Sequence, residues 1–148
     1  MRATIPYLQL GFERLTTATR RVTDEEVIVA PFGAGTTSIA GLVTHCAGVS
    51  EFWLGHVGLG RPSERDRDGE FTATGTVDEL IALAEAAAAQ AAADIEALLA
   101  GGGRPNEMRA FALDGGSDEA LVLHVIEEVF QHVGHVEITA DILEHRRA

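Results

Sequence analysis

Glu128 and His132 stand four residues apart in the stretch Val122-Leu123-His124-Val125-Ile126-Glu127-Glu128-Val129-Phe130-Gln131-His132-Val133-Gly134-His135. The apolar spacing around them predicts one long amphipathic helix. Side chains at i and i+4 leave a helix on the same face, roughly 6 Å apart along its axis. A carboxylate and an imidazole so placed can close on one metal ion, and a third ligand must then come from another helix. His45, in Gly41-Leu42-Val43-Thr44-His45-Cys46-Ala47-Gly48-Val49, supplies the candidate. Two imidazoles and one carboxylate leave coordination positions open, as a reactive centre requires and a closed structural site does not. Zinc suits this borderline donor set, and nickel and iron are also compatible with it.

The chain has six histidines. His124, Glu128, His132 and His135 follow i, i+4, i+8, i+11 spacing and form a single stripe. One half-buried histidine on such a helix is ordinarily a hydrogen-bonded packing residue. Three with a glutamate on one stripe are costly to bury unless something pairs them. His124 and His135, one turn to either side of the Glu128/His132 pair, are candidates for general acid/base work or for supporting the ligands. Packing is the competing role for each. Other metal classes fit less well. A ferritin-like di-iron site needs paired Glu-x-x-His motifs, and a zincin needs His-Glu-x-x-His; both are absent. A hemerythrin-type site needs ligands on the first and third helices, which hold no histidine. Cys46 adjoins His45 but points about 100° away around the helix, so it reads as a packed thiol. His56 is about 16 Å beyond His45 and is assigned to the surface. Phe52 and Trp53 read as core or pocket wall.

Four helices must position these residues. Thr4 is expected to cap the first, which runs to about Arg20 with Leu8, Phe12 and Leu15 on one side. Thr23 and Glu26 have capping-box spacing and open a short helical turn that Pro31 ends. Gly33-Ala34-Gly35 is a loop. Ser38 caps a second helix that stops near Gly58 and Gly60. Residues 59–75 are rich in Gly, Arg and Asp and read as a long crossover. Thr76 and Glu79 repeat the capping box and open a third helix, with Leu80, Leu83, Ala87, Ile95, Leu98 and Leu99 on its apolar stripe. Its alanines favour the helix and close packing, and Gly101-Gly102-Gly103 ends it. After a loop over 104–116, Ser117 caps the fourth helix. Asp118 and Glu119 lie at its positive end, and His145, Arg146 and Arg147 at its negative end.

The length, 148 residues, suits a single domain over 1–148 with one core. Net charge is −12, and all eleven basic residues are arginine. Such a surface is repelled by nucleic acids and anionic membranes. Many sequences rich in Ala, Gly and Arg and free of Lys, as this one is, come from GC-rich bacterial genomes. The lone cysteine allows no internal disulfide, and the first residues lack a signal peptide's apolar core. The alanine-rich stretch 84–93 carries Glu85 and Gln90 and is no membrane span. The expected compartment is the cytoplasm.

Two segments resemble the DinB-like superfamily of small bacterial helical bundles. One runs from Gly35-Thr36-Thr37-Ser38 through Thr44-His45 and on to Val49-Ser50-Glu51-Phe52-Trp53. The other runs from Leu123-His124 to His135-Val136-Glu137, with the long pattern His-x-x-Glu-Glu-x-x-x-His-x-Gly-His, hence the more specific. The resemblance implies an all-α four-helix bundle with long connections, dimeric in many members. Its metal site takes one histidine from the second helix and two ligands four apart on the fourth, here His45, Glu128 and His132. Similar proteins include mycothiol-dependent maleylpyruvate isomerases and thiol S-transferases. The isomerases carry a further C-terminal domain that this chain, read to Ala148, is expected to lack, so thiol transfer is the activity implied. Gln131 and Glu137 replace the arginine and aspartate found in many relatives. The expected chemistry is metal-dependent activation of a low-molecular-weight, mycothiol-like thiol for attack on a small electrophile. The alternative is a non-catalytic metal-binding bundle that senses or stores an ion.

Overall fold

The computed structural model describes residues 3–33 and 35–147. Met1, Arg2, Ala34 and Ala148, and with them the centre of the Gly33–Gly35 loop and both chain ends, lie outside the described residues. The fold is all-helical, with no strand among the described residues. Helices α1 (Thr4–Thr19), α2 (Asp24–Val27), α3 (Ile39–Ser50), α4 (Arg67–Glu70), α5 (Val77–Leu99) and α6 (Asp118–Arg147) follow in order. Helix α3 continues without a break into a π-helical segment, Glu51–Gly58.

The capping residues set most boundaries. Thr23 and Glu26, and Thr76 and Glu79, form complete capping boxes at the starts of α2 and α5. Each satisfies backbone N–H groups that the first helical turn leaves without partners. Ser38 accepts from the Gly41 amide, and Ser117 from the Ala120 amide. Two boundaries differ from expectation. Thr4 is the first residue of α1, with Ala3 in the cap position. Helix α2 ends at Val27, capped by Ile28, so it has already stopped before Pro31. The 104–116 connection also contains two single turns of tight helix, Glu107–Phe111 and Asp114–Gly116.

The four long helices pack around one core. Helix α1 lies against α5 and α6, and α3 lies against the same two. Leu8, Phe12 and Leu15 of α1 meet Leu80, Ile95 and Leu98 of α5 and a valine row, Val122, Val125, Val129, Val133 and Val136, on α6. Helix α6 approaches α1 closely at Gly11, where a Cβ would stand 2.8 Å from Val129 Cγ1. Leu83, expected on the core stripe of α5, is instead 39% exposed and lines a groove. A second link ties the 59–75 crossover to α5. Asp94 is buried on α5 and receives both guanidinium nitrogens of Arg61, with Gln90 donating to the same carboxylate at 2.9 Å. A buried carboxylate needs such complete pairing to be tolerated. No helix among the described residues is long and apolar enough to cross a membrane.

Candidate metal centre

The valine row of α6 explains where its polar stripe goes. His124, Glu128, His132 and His135 each precede a buried valine by one position, so their stripe runs about 100° around from the core-facing one. It therefore follows the seam between α6 and α3. His124, Glu128 and His132 are partly buried there, whereas His135 is exposed, its ring 6.2 Å from that of His132. From α3, buried His45 points into the same seam. His45 Nε2 and His132 Nε2 each lie 3.5 Å from Glu128 Oε2. One donor atom from each of the three residues falls within 4.8 Å of the others.

These separations are long for hydrogen bonds and suit a shared ion. Two donors each about 2.1 Å from a tetrahedral metal stand about 3.4 Å apart. The donor set, two imidazoles and a carboxylate, therefore fits a divalent cation. His132 is held neutral: burial pushes its pKa below the ordinary histidine range, and the neighbouring His45 adds to the effect, with Glu128 opposing. Its Nδ1 is buried without a hydrogen-bond partner. His124, Glu127 and Glu128 make a second, more exposed group of possible ligands that shares Glu128.

His45 and Glu128 line a cavity of about 390 Å³, walled also by Val49, Phe52, Trp53, Met108, His124, Arg65 and Arg67. The π-helical segment shapes this wall. The wider turn brings Leu54 and Val57 into the protein interior while Phe52 and Trp53 face the cavity. Trp53 meets the His124 ring edge-on at 4.8 Å. A larger groove, about 640 Å³, lies between α3, the crossover and α5. It shares Arg65 but reaches none of the three converging residues, whereas the smaller cavity reaches His45 and Glu128.

Other histidines and the cysteine sort out by their contacts. His56 accepts no part of this site; its Nδ1–H donates to the Arg61 carbonyl at 2.6 Å, and its ring packs on Phe52. Cys46 is fully buried, and burial pushes its thiol up to about 12, with the Glu128 and Glu70 charges adding to the shift. Gln131 and Glu137 are exposed. The residues that the sequence did not single out come from the crossover. Glu70, on α4, accepts from His45 Nδ1–H at 2.8 Å, and Phe71 stacks on the His45 ring at 5.0 Å. Arg65 donates to both Glu70 oxygens, at 2.6 and 2.9 Å.

No curated protein and no solved structure gives a significant match to the chain. The model of one family, described as mycothiol-S-transferase, matches residues 5–144. That span holds all four long helices almost entire and every residue of the seam, so this helical bundle is a member of the mycothiol-S-transferase family.

Proposed function

We propose that the protein is a metal-dependent thiol S-transferase that joins a low-molecular-weight, mycothiol-like thiol to a small electrophile. The observation that carries this reading is the convergence of His45, Glu128 and His132, with both Nε2 atoms 3.5 Å from Glu128 Oε2, next to a cavity walled in part by Val49, Phe52, Trp53 and Met108. Family membership supports the thiol as co-substrate.

His45 Nε2, Glu128 Oε2 and His132 Nε2 would hold the cation, with zinc the first choice and nickel or iron compatible. Once bound, a divalent cation lowers the pKa of a thiol and fixes the position of its sulfur. Phe52, Trp53, Val49 and Met108 seat the electrophile's apolar part and keep water from the reacting atoms. His124, in the cavity wall and next to Glu128, takes up the thiol proton and can return it to the product as the new sulfur–carbon bond forms. His135 lies outside the cavity with its exposed ring 6.2 Å from that of His132, and is assigned to supporting that ligand or to acid/base work. A homodimer, as the superfamily resemblance implies, belongs to the same proposal.

The test is a conjugation assay with a generic electrophile, run with and without metal and thiol, on protein purified without a histidine tag. Wild-type protein should turn over only with both. His132→Ala should lose metal and activity together, because two protein ligands hold a catalytic ion poorly. His135→Ala should keep the metal, with turnover or affinity lower by about 10–100-fold. Retained metal with no turnover for any thiol would leave the sensor or storage reading in its place.

A further inference from the structure

We infer that Glu70, braced by Arg65, is a positioning residue that holds His45 with Nε2 turned toward Glu128 and His132. The inference rests on the metal-centre reading of those three residues and adds a component from a different part of the chain.

An imidazole has two nitrogens, and in the neutral ring only one has a lone pair to offer. Which one is free is decided by the hydrogen bond the other makes. At His45 that bond is the one to Glu70. The Glu70 carboxylate can only accept, so Nδ1 carries the hydrogen and Nε2 is left bare on the side facing Glu128. Phe71, the next residue, stacks on the ring and fixes its plane.

Glu70 is itself held. It is buried, and a lone buried carboxylate would be costly. Arg65 supplies two donors to it, one to each oxygen, and so balances its charge and fixes its rotation. The backbone of α3 makes room for this pair. A Cβ on Gly48 would stand 2.1 Å from Glu70 Oε1 and 3.2 Å from Arg65 Nε. Gly48 is one turn past His45 on the same helix, so the gap lies beside the imidazole it serves. Helix α4, four residues capped by Asp66, has one buried residue, and it is Glu70. A structural purpose alone would be met by an apolar side chain. A carboxylate with its own arginine, aimed at the nitrogen of His45 that faces away from the cluster, serves the imidazole.

Three variants and two readouts test this. The tautomer of His45 is read from nitrogen-15 shifts of the imidazole in metal-free protein at pH 8. Zinc affinity is read by competition with a chromophoric chelator. Wild-type protein should show His45 as the Nδ1–H form. Glu70→Leu should shift it toward Nε2–H and weaken zinc binding by about 10–100-fold. Glu70→Gln, whose amide oxygen can still accept, should retain part of both properties. Gly48→Ala leaves Glu70 in the chain but displaces its carboxylate, and should behave like Glu70→Leu. If Glu70→Leu does not fold, the other two variants decide. Wild-type zinc affinity in both Glu70→Gln and Gly48→Ala, or a wild-type His45 already in the Nε2–H form, overturns the role of Glu70. A wild-type protein that binds no zinc, nickel or iron overturns the metal centre on which that role depends.

Discussion

Cys46 shows how little adjacency in sequence means for a side chain's chemistry. It follows His45 directly, yet it faces the core and is fully buried, and its thiol is pushed up to about 12 by burial first and by the Glu128 and Glu70 charges second. The thiolate is the reactive form, so a raised pKa means less of it at any working pH. At pH 8 the native protein should hold roughly a thousandfold less thiolate than an ordinary cysteine, since each pKa unit is tenfold. Native protein should therefore resist iodoacetamide at pH 8 and be labelled at once when unfolded in urea; prompt labelling of the native state would contradict the packing described. The other site residues were unequally visible in the sequence. Glu128 and His132 announce themselves because one helix carries both at fixed spacing. His45 could be paired with them as the second helix's histidine closest to the right depth. Glu70 and Arg65 could not be, because the 59–75 crossover also holds Glu64, Asp66, Arg67 and Asp68, and only folding distinguishes one buried acid from its solvated neighbours. A faint signal existed in Gly48, a residue of low helix propensity one turn from a candidate ligand, where only close approach of another group would justify its presence.

The elements were legible where local chemistry dictates them. Capping boxes at Thr23 and Thr76, serines at 38 and 117 and the triple glycine after α5 mark helix ends by satisfying or breaking backbone hydrogen bonds nearby in sequence. The π-helical segment Glu51–Gly58 left no such mark, and the short α4 left only its Asp66 cap among several other acids of the crossover. A π turn inserts one residue without a composition of its own, and it persists because tertiary packing holds it. Here the packing is Leu54 and Val57 inside, and Phe52 and Trp53 against the cavity. Helix α6 carries one residue that its own packing does not explain. Gly134 sits in the middle of thirty helical residues, and a Cβ built on it would have nothing within 4 Å. Glycine in a helix interior costs about 0.8–1.0 kcal/mol relative to alanine. Gly134→Ala should therefore stabilise the protein by about 1 kcal/mol in urea unfolding with an unchanged denaturant slope. A loss of stability would show that something outside this chain occupies the space beside Gly134.

At the scale of the molecule, the proposed metal centre would couple ion binding to folding. Helices α3 and α6 contribute His45 on one side and Glu128 and His132 on the other, so an ion held by all three binds the folded bundle and not the open chain. Ligand that binds only the native state at a hundred times its dissociation constant adds about 2.7 kcal/mol. For a chain of this size each kcal/mol moves the melting temperature by about 2–4 °C. Chelation should then lower it by about 5–10 °C, and readdition of zinc should restore it. The effect should depend on pH in a definite direction. Burial holds His132 below the ordinary histidine range in the folded protein. Between its folded and unfolded pKa values, the unfolded chain binds the proton and the native state does not. Above the unfolded value, about 6.5, both are neutral and nothing is lost; as pH falls below it, stability falls. Protons also compete with the metal for the imidazoles, so the zinc-dependent part of the melting temperature must shrink over the same range. Melts in zinc and in chelator should thus stand apart at pH 7.5 and converge by about pH 5. Curves that coincide at every pH would mean that α3 and α6 meet without an ion between them.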